Sequence, residues 1–244
     1  MKSARRTAVA TGVFFLITEV TAIAGLALYA PVLNGADYIT GSGSDARVFW
    51  GAMMEVFLAI AIVATGATLY PILKKQNAAA AMGYVCGRLL EAAVIVVGII
   101  SVLSGVTLRQ DLGAAEAAGT DSTTLSTVGR ALVAFHDWTF LMGPGLLLGA
   151  NTLVLAYLMY SSGLVPRVIA TLGLVGGALI FGSATAVMFG LYEQLSVWGS
   201  IAALPIFAWE VSLAVWLIAK GFRPLDKADA SRRNVGVESI SPAP

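Results

Sequence analysis

The run Ala79–Gly105 is apolar throughout except for two charged side chains, Arg88 and Glu91. It exceeds the roughly 20 residues that carry an α-helix across a bilayer, so it predicts a membrane-spanning helix with an ion pair inside it. A central Arg facing lipid costs about 2.5–3.5 kcal/mol, which means that other helices must wrap this face. The spacing i, i+3 places Arg88 and Glu91 on one side of the helix, where they can pair with each other and with carboxylates from neighbouring spans.

Five further apolar runs accompany it, giving six predicted helices at about 7–30, 48–73, 79–105, 128–160, 167–190 and 197–219. The composition agrees: 58% hydrophobic residues, 12% charged and a mean hydropathy of +0.84 contrast with roughly 45–50% and 25% for a soluble globule. The fold class expected is therefore all-α, a polytopic integral membrane bundle, because hydrocarbon leaves an unpaired backbone group no partner outside a helix. Residues 1–223 form one transmembrane domain, and the charged, Ser- and Pro-containing stretch 224–244 is read as a disordered cytoplasmic tail.

Lys2, Arg5 and Arg6 before an apolar run imitate a signal peptide. The stretch Thr7–Leu33 is longer than the usual 7–15-residue apolar region and contains Glu19, so a retained first span is expected. With six spans, Lys2, Arg5, Arg6, Lys74, Lys75, Arg167, Lys220, Arg223, Lys227, Arg232 and Arg233 fall on one side and Arg47, Arg109 and Arg130 on the other. The positive-inside rule then makes both termini cytoplasmic. Trp50, Trp138 and Trp198 fit an aromatic belt at the opposite interface.

Between the spans, Asn34–Arg47 has turn chemistry and is expected to be flexible, and the stretch from Asp111 could form a short interfacial helix or an ordinary loop. Pro144 within Gly143-Pro144-Gly145 predicts a kink about two turns after His136. It is either a packing kink or a break that opens the bundle beside His136. Gly173-x-x-x-Gly177 is a close-packing spacing, usable within the chain or in a homo-oligomer. The only cysteine, Cys86, excludes an internal disulfide and is expected to be a small buried apolar residue.

The candidate site is a buried polar cluster of Glu19, Glu55, Arg88, Glu91, His136, Asp137 and Glu210, contributed by five of the six helices. Glu19 and Glu210 fall near the midplane, with Arg88 and Glu91 close by and Glu55, His136 and Asp137 in the outer half. Five carboxylates outnumber one Arg and one His, and in low dielectric the excess is relieved by protonation, a bound cation or water.

A small transporter-like or proton/cation-linked protein is the favoured reading, with the lipid bilayer and a small solute, proton or cation as partners. An intramembrane enzyme using His136 is the alternative, although adjacent helical residues point about 100° apart, so His136 and Asp137 cannot form a tight dyad. Ser101, Ser104 and Ser212 are the hydroxyls that could approach His136 in three dimensions. A structural or partner-binding subunit is the third reading, in which Arg88 only neutralises carboxylates and pins helices together. No metal site and no cofactor are expected: a single His cannot supply a two-His zinc pattern, and neither a Glu-x-x-His pair nor a nucleotide-binding loop is present. A net charge of +1 gives no sign of a nucleic-acid partner.

Three segments carry a family resemblance. They are Arg88-Leu-Leu-Glu91, the connection Leu158-Met-Tyr-Ser-Ser-Gly-Leu-Val-Pro166-Arg167, and the final run Pro205-Ile-Phe-Ala-Trp-Glu210-Val-Ser-Leu-Ala-Val-Trp216-Leu-Ile-Ala-Lys220-Gly221. Together the chain from about Arg5 to Arg223 resembles a bacterial membrane family catalogued as domain of unknown function 4386. Glu91 and Glu210 match family positions, whereas the first outer loop and the tail match nothing in it. The resemblance implies a bacterial inner-membrane protein and brings no activity with it, so the site rests on the physical argument alone.

Overall fold

The computed structural model describes residues 2–33, 38, 44–111, 119 and 121–223, which are helical apart from short connections. The elements are α1 (Lys2–Leu33), α2 (Asp45–Leu73), α3 (Ala78–Gln110), α4 (Ser122–Phe140), a π-helical segment (Leu141–Leu147), α5 (Leu148–Ser162), α6 (Arg167–Met188) and α7 (Val197–Ala219). Because α4, the π segment and α5 are continuous, these make six helices long and apolar enough to cross a membrane. Most extend a few residues beyond the apolar runs, because polar ends such as Asp45 and Arg109 reach into the interface while their helices continue. Residues 45–47, read as part of a flexible loop, are instead the first turn of α2; the rest of that loop apart from Tyr38 and Ser44, the stretch 112–118 considered as an interfacial helix and the tail 224–244 lie outside the described residues.

Local chemistry sets the helix ends. The Asn77 side chain accepts from the Ala80 amide at 3.0 Å, and Ser196 accepts from the Gly199 amide at 3.3 Å, each satisfying a free donor of a first turn. Gly163 closes α5 at φ +68°, a left-handed position that favours glycine, and Pro166 then opens α6. Pro144 lies inside the π segment, where the widened turn absorbs the hydrogen bond that proline cannot donate. The expected kink is thus a π-helical insertion.

Neighbouring spans pack in sequence, and α7 returns to α1, so the six spans close into a ring. The closure has a polar clasp: Arg5 donates from Nη1 to the Leu217 carbonyl at 2.9 Å and from Nη2 to the Ile218 carbonyl at 2.6 Å. These are carbonyls of the last turn of α7, of which Leu217 also accepts from the Gly221 amide at 3.1 Å. The start of α1 and the end of α7 therefore share one end of the bundle.

At this end a core around Phe15, Leu73, Tyr84, Met159, Trp209 and Leu213 seals the ring. At the other end a second core, including Tyr29, Val48, Ile62, Ile99 and Val106, joins the α1–α2–α3 side. The facing half, between the π segment, α6, α7 and the end of α1, contains a crevice.

Large apolar side chains such as Ile23, Ile60, Leu89 and Ile100 are more than half exposed on the outer surface, as a lipid-facing wall requires. Cys86 is exposed on the same wall, contrary to its expected burial, because its helical position points away from the ring. Trp50, Trp138 and Trp198 are exposed towards the crevice end. The glycines of α6 pack within the chain: a Cβ on Gly173 would strike the Trp209 ring, and one on Gly177 would press on Gly149 and Leu153.

Candidate functional site

The centre of the bundle is organised by Arg88, which is 3% exposed. Its Nη1 contacts both oxygens of Glu91, at 3.2 and 3.0 Å, and its Nε donates to Thr65 Oγ1 at 3.2 Å. Asn151 Nδ2 donates to Glu91 Oε2 at 2.8 Å. Glu91 is therefore charge-paired and hydrogen-bonded on two sides, which is the condition under which a buried ion pair is tolerated.

Glu19 and Glu210 belong to a second group. Their carboxyl groups come within hydrogen-bond reach of each other, on the α1 and α7 walls of a chamber of about 220 Å³ whose other walls include Arg88 and Glu91. Glu210 is buried and Glu19 half-buried. Two bare carboxylates in such contact repel each other in low dielectric. The Arg88 charge reaches them, but its hydrogen bonds go to Glu91 and Thr65.

Above this chamber, towards the open end, lies another of about 180 Å³ lined by Glu55, His136, Phe140 and Thr139. The two share Ala22, Leu58, Ile95 and Pro144 as walls and so adjoin. Glu55 and His136 are 8% and 4% exposed and interact electrostatically across the upper chamber. The His136 ring meets Tyr29 edge-on at 5.7 Å and stacks on Phe140 at 6.3 Å. His136 Nδ1 and the Tyr29 hydroxyl are buried without a hydrogen bond of normal geometry, although Tyr29 faces Glu55. Gly25 and Gly51 let α1 and α2 approach closely here: a Cβ on Gly25 would press on Glu55, and one on Gly51 would strike the Tyr29 ring.

Asp137 is not part of the buried group. Its side chain is 62% exposed and its Oδ1 lies 3.7 Å from His136 Nδ1. The 100° step between adjacent helical residues turns it out of the bundle. It stands at a wider mouth of about 440 Å³, with Glu193 and Gln194 from the α6–α7 connection. Of the hydroxyls considered as partners of His136, Ser101 donates to the Leu132 carbonyl and Ser104 to the Ile100 carbonyl. Among the described residues, no three His, Cys, Asp or Glu side chains converge as a metal-ligand set.

The seven predicted residues thus divide into a paired centre (Arg88, Glu91), a facing carboxyl pair (Glu19, Glu210), an upper chamber (Glu55, His136) and the mouth (Asp137). Asn151, Thr65, Tyr29 and Phe140 complete these groups and carried no signal in the sequence, because a neutral polar or aromatic residue in an apolar helix does not announce its partner.

Residues 10–221 match the family described as Domain of unknown function (DUF4386). The chain belongs to this family. The match runs from within the first span through the sixth, so in this DUF4386 member every site residue falls within the family region. No curated protein and no solved structure matches the chain.

Proposed function

We propose that this DUF4386 protein is a small proton- or cation-linked membrane protein of transporter type, with the Glu19–Glu210 carboxyl pair as its exchange site. The observation that carries the reading is the facing of these two carboxyls across a chamber in which the one Arg is already bonded to Glu91. A site built only to hold helices together has no use for two carboxyls beyond those that Arg88 neutralises. The pair is left to hold a proton or release it to a cation arriving from the mouth, as intramembrane carboxylates of coupled transporters do.

The sealed core at the Arg5 end and the open chambers at the other support this reading, in which they correspond to one access state of an alternating cycle. The widened π segment, which borders both chambers through Pro144, is the element able to change it. Under the positive-inside rule both termini are cytoplasmic and the mouth opens outside, in a bacterial inner membrane.

The test uses purified protein in sealed vesicles containing a pH-sensitive dye. An imposed gradient of sodium, potassium or ammonium should drive proton movement in wild type and not in Glu210→Gln or Glu19→Gln. Infrared difference spectra should show a protonated carboxyl band in wild type that is lost in one of these variants. A protein that moves no protons under any gradient and has no such band would overturn the reading.

A further inference from the structure

The upper chamber holds polar groups that neither the Arg88 centre nor the carboxyl pair uses. Glu55 is buried there beside the His136 ring, with Tyr29 behind it and Phe140 stacked on the far side. A carboxyl group in a chamber walled by the His136 and Phe140 rings is an environment for an organic ammonium ion, attracted by the acidic group and by an aromatic face together. The Tyr29 hydroxyl, buried without a hydrogen bond of normal geometry, faces the same carboxyl group from behind the His136 ring. A bare hard divalent cation would meet one carboxyl group, far from the six or more oxygens that it requires.

The surroundings specify the rest of the ligand. Leu26, Phe140 and Pro144 line both this chamber and an adjoining apolar one of about 280 Å³, which runs along α6 and α7 past Ile180, Leu195 and Ala203. Together the two reach the scale of small-molecule sites, roughly 300–1,000 Å³. At the entrance stand Asp137 and Glu193, both exposed and both acidic, which favours cations and disfavours anions.

We infer that the upper chamber binds a lipophilic ammonium ion, its head on Glu55 beside the His136 and Phe140 rings and its alkyl chain in the apolar chamber between the π segment, α6 and α7. The inference rests on the proposed exchange function in one respect: the ammonium is the cation whose arrival is coupled to the proton held one chamber below.

Octylammonium is the probe, with octanol and octanesulfonate as matched neutral and anionic controls, and the protein is the full chain in nanodiscs of uncharged lipid. Calorimetry should show saturable binding of octylammonium alone, weakened at least about 30-fold in Glu55→Gln, as expected when one partner of a buried charge pair is removed. Glu55→Asp, which keeps the charge with a shorter reach, should recover part of it. Because His136 is the only histidine, selectively labelled protein gives one imidazole nitrogen pair. Its resonances should move on adding octylammonium and stay still with octanol, a readout that needs no variant.

Equal binding of octanol and octylammonium, or histidine resonances indifferent to both, would overturn the inference. If vesicles exchange protons for inorganic cations but octylammonium does not bind, the inference fails and the exchange function stands. If octylammonium binds at Glu55 and no proton moves, the ammonium site stands and the exchange function fails.

Discussion

Asn151 Nδ2 donates to Glu91 Oε2 at 2.8 Å, the same oxygen that Arg88 Nη1 approaches at 3.0 Å. One carboxylate oxygen thereby ties α5 to α3, and through Arg88 and Thr65 the bond pattern continues to α2. Arg88→Met should leave Glu91 buried and unpaired, lowering stability by about 3–5 kcal/mol. Adding Glu91→Gln should restore part of the folded yield and melting temperature. Asn151→Ala should cost about 1.5–3 kcal/mol, the range for a hydrogen bond to a charged group. An Arg88→Met protein that melts like wild type would show that the pair is solvated.

Helix α6 offers a paired test of packing. A Cβ on Gly176 would lie 2.8 Å from the Ile206 backbone nitrogen, whereas one on Gly182 would meet nothing within 4 Å. Backbone cannot swing aside as a side chain can. Gly176→Ala should therefore push α6 from α7 and destabilise by about 1–3 kcal/mol. Gly182→Ala should be neutral or stabilise by up to about 1 kcal/mol through the helix preference of alanine. Thermal melts in one detergent compare them, and equal effects would contradict the observed α6–α7 contact.

The proposed orientation, with both termini cytoplasmic, can be tested at two exposed positions. Lys75 and Glu193 are both exposed, at opposite ends of the bundle. In a Cys86→Ala background, Glu193→Cys should react with an impermeant thiol reagent on intact cells, and Lys75→Cys only after the membrane is opened. The reverse pattern would invert the topology.

The parts of the site readable in the sequence are those whose geometry is local. Arg88 and Glu91 share a helix face by spacing alone, and the 100° step that forbids a tight His136–Asp137 dyad also turns Asp137 outward. Charge counting exposed the surplus of carboxylates, but Glu19 and Glu210 lie at opposite ends of the chain and meet because α7 closes on α1. Asn151 was silent because its partner is on another helix. The proline predicted a bend, while a π turn depends on how many residues fit between α4 and α5 once both pack on α3. Cys86 was expected to be buried by its type, yet in a bilayer the outward face is as apolar as the core, so residue type alone does not decide the side.

The last prediction concerns the mouth end, outside the membrane. The Tyr38 hydroxyl donates to Asp45 Oδ1 at 3.0 Å, Arg109 pairs with the same carboxylate, and the Arg109 guanidinium lies 5.0 Å from the Tyr38 ring centre. This ties the α1–α2 connection to the start of α2 and the end of α3. Burial pushes the Tyr38 phenol above its usual value of 10.0; Arg109 opposes the rise and Asp45 adds to it. A raised native value favours the folded state below the unfolded value of about 10, and this contribution is lost as pH rises through the native value. Wild type should thus lose stability as pH rises beyond about 10, through deprotonation of Tyr38. Tyr38→Phe should lose the hydrogen bond at all pH values, at a cost of about 0.5–1.5 kcal/mol near neutrality, and show a shallower alkaline decline. Melting temperatures across that range, with phenolate absorbance followed in parallel, measure both effects. An alkaline limb of unchanged steepness in Tyr38→Phe would show that another group governs it.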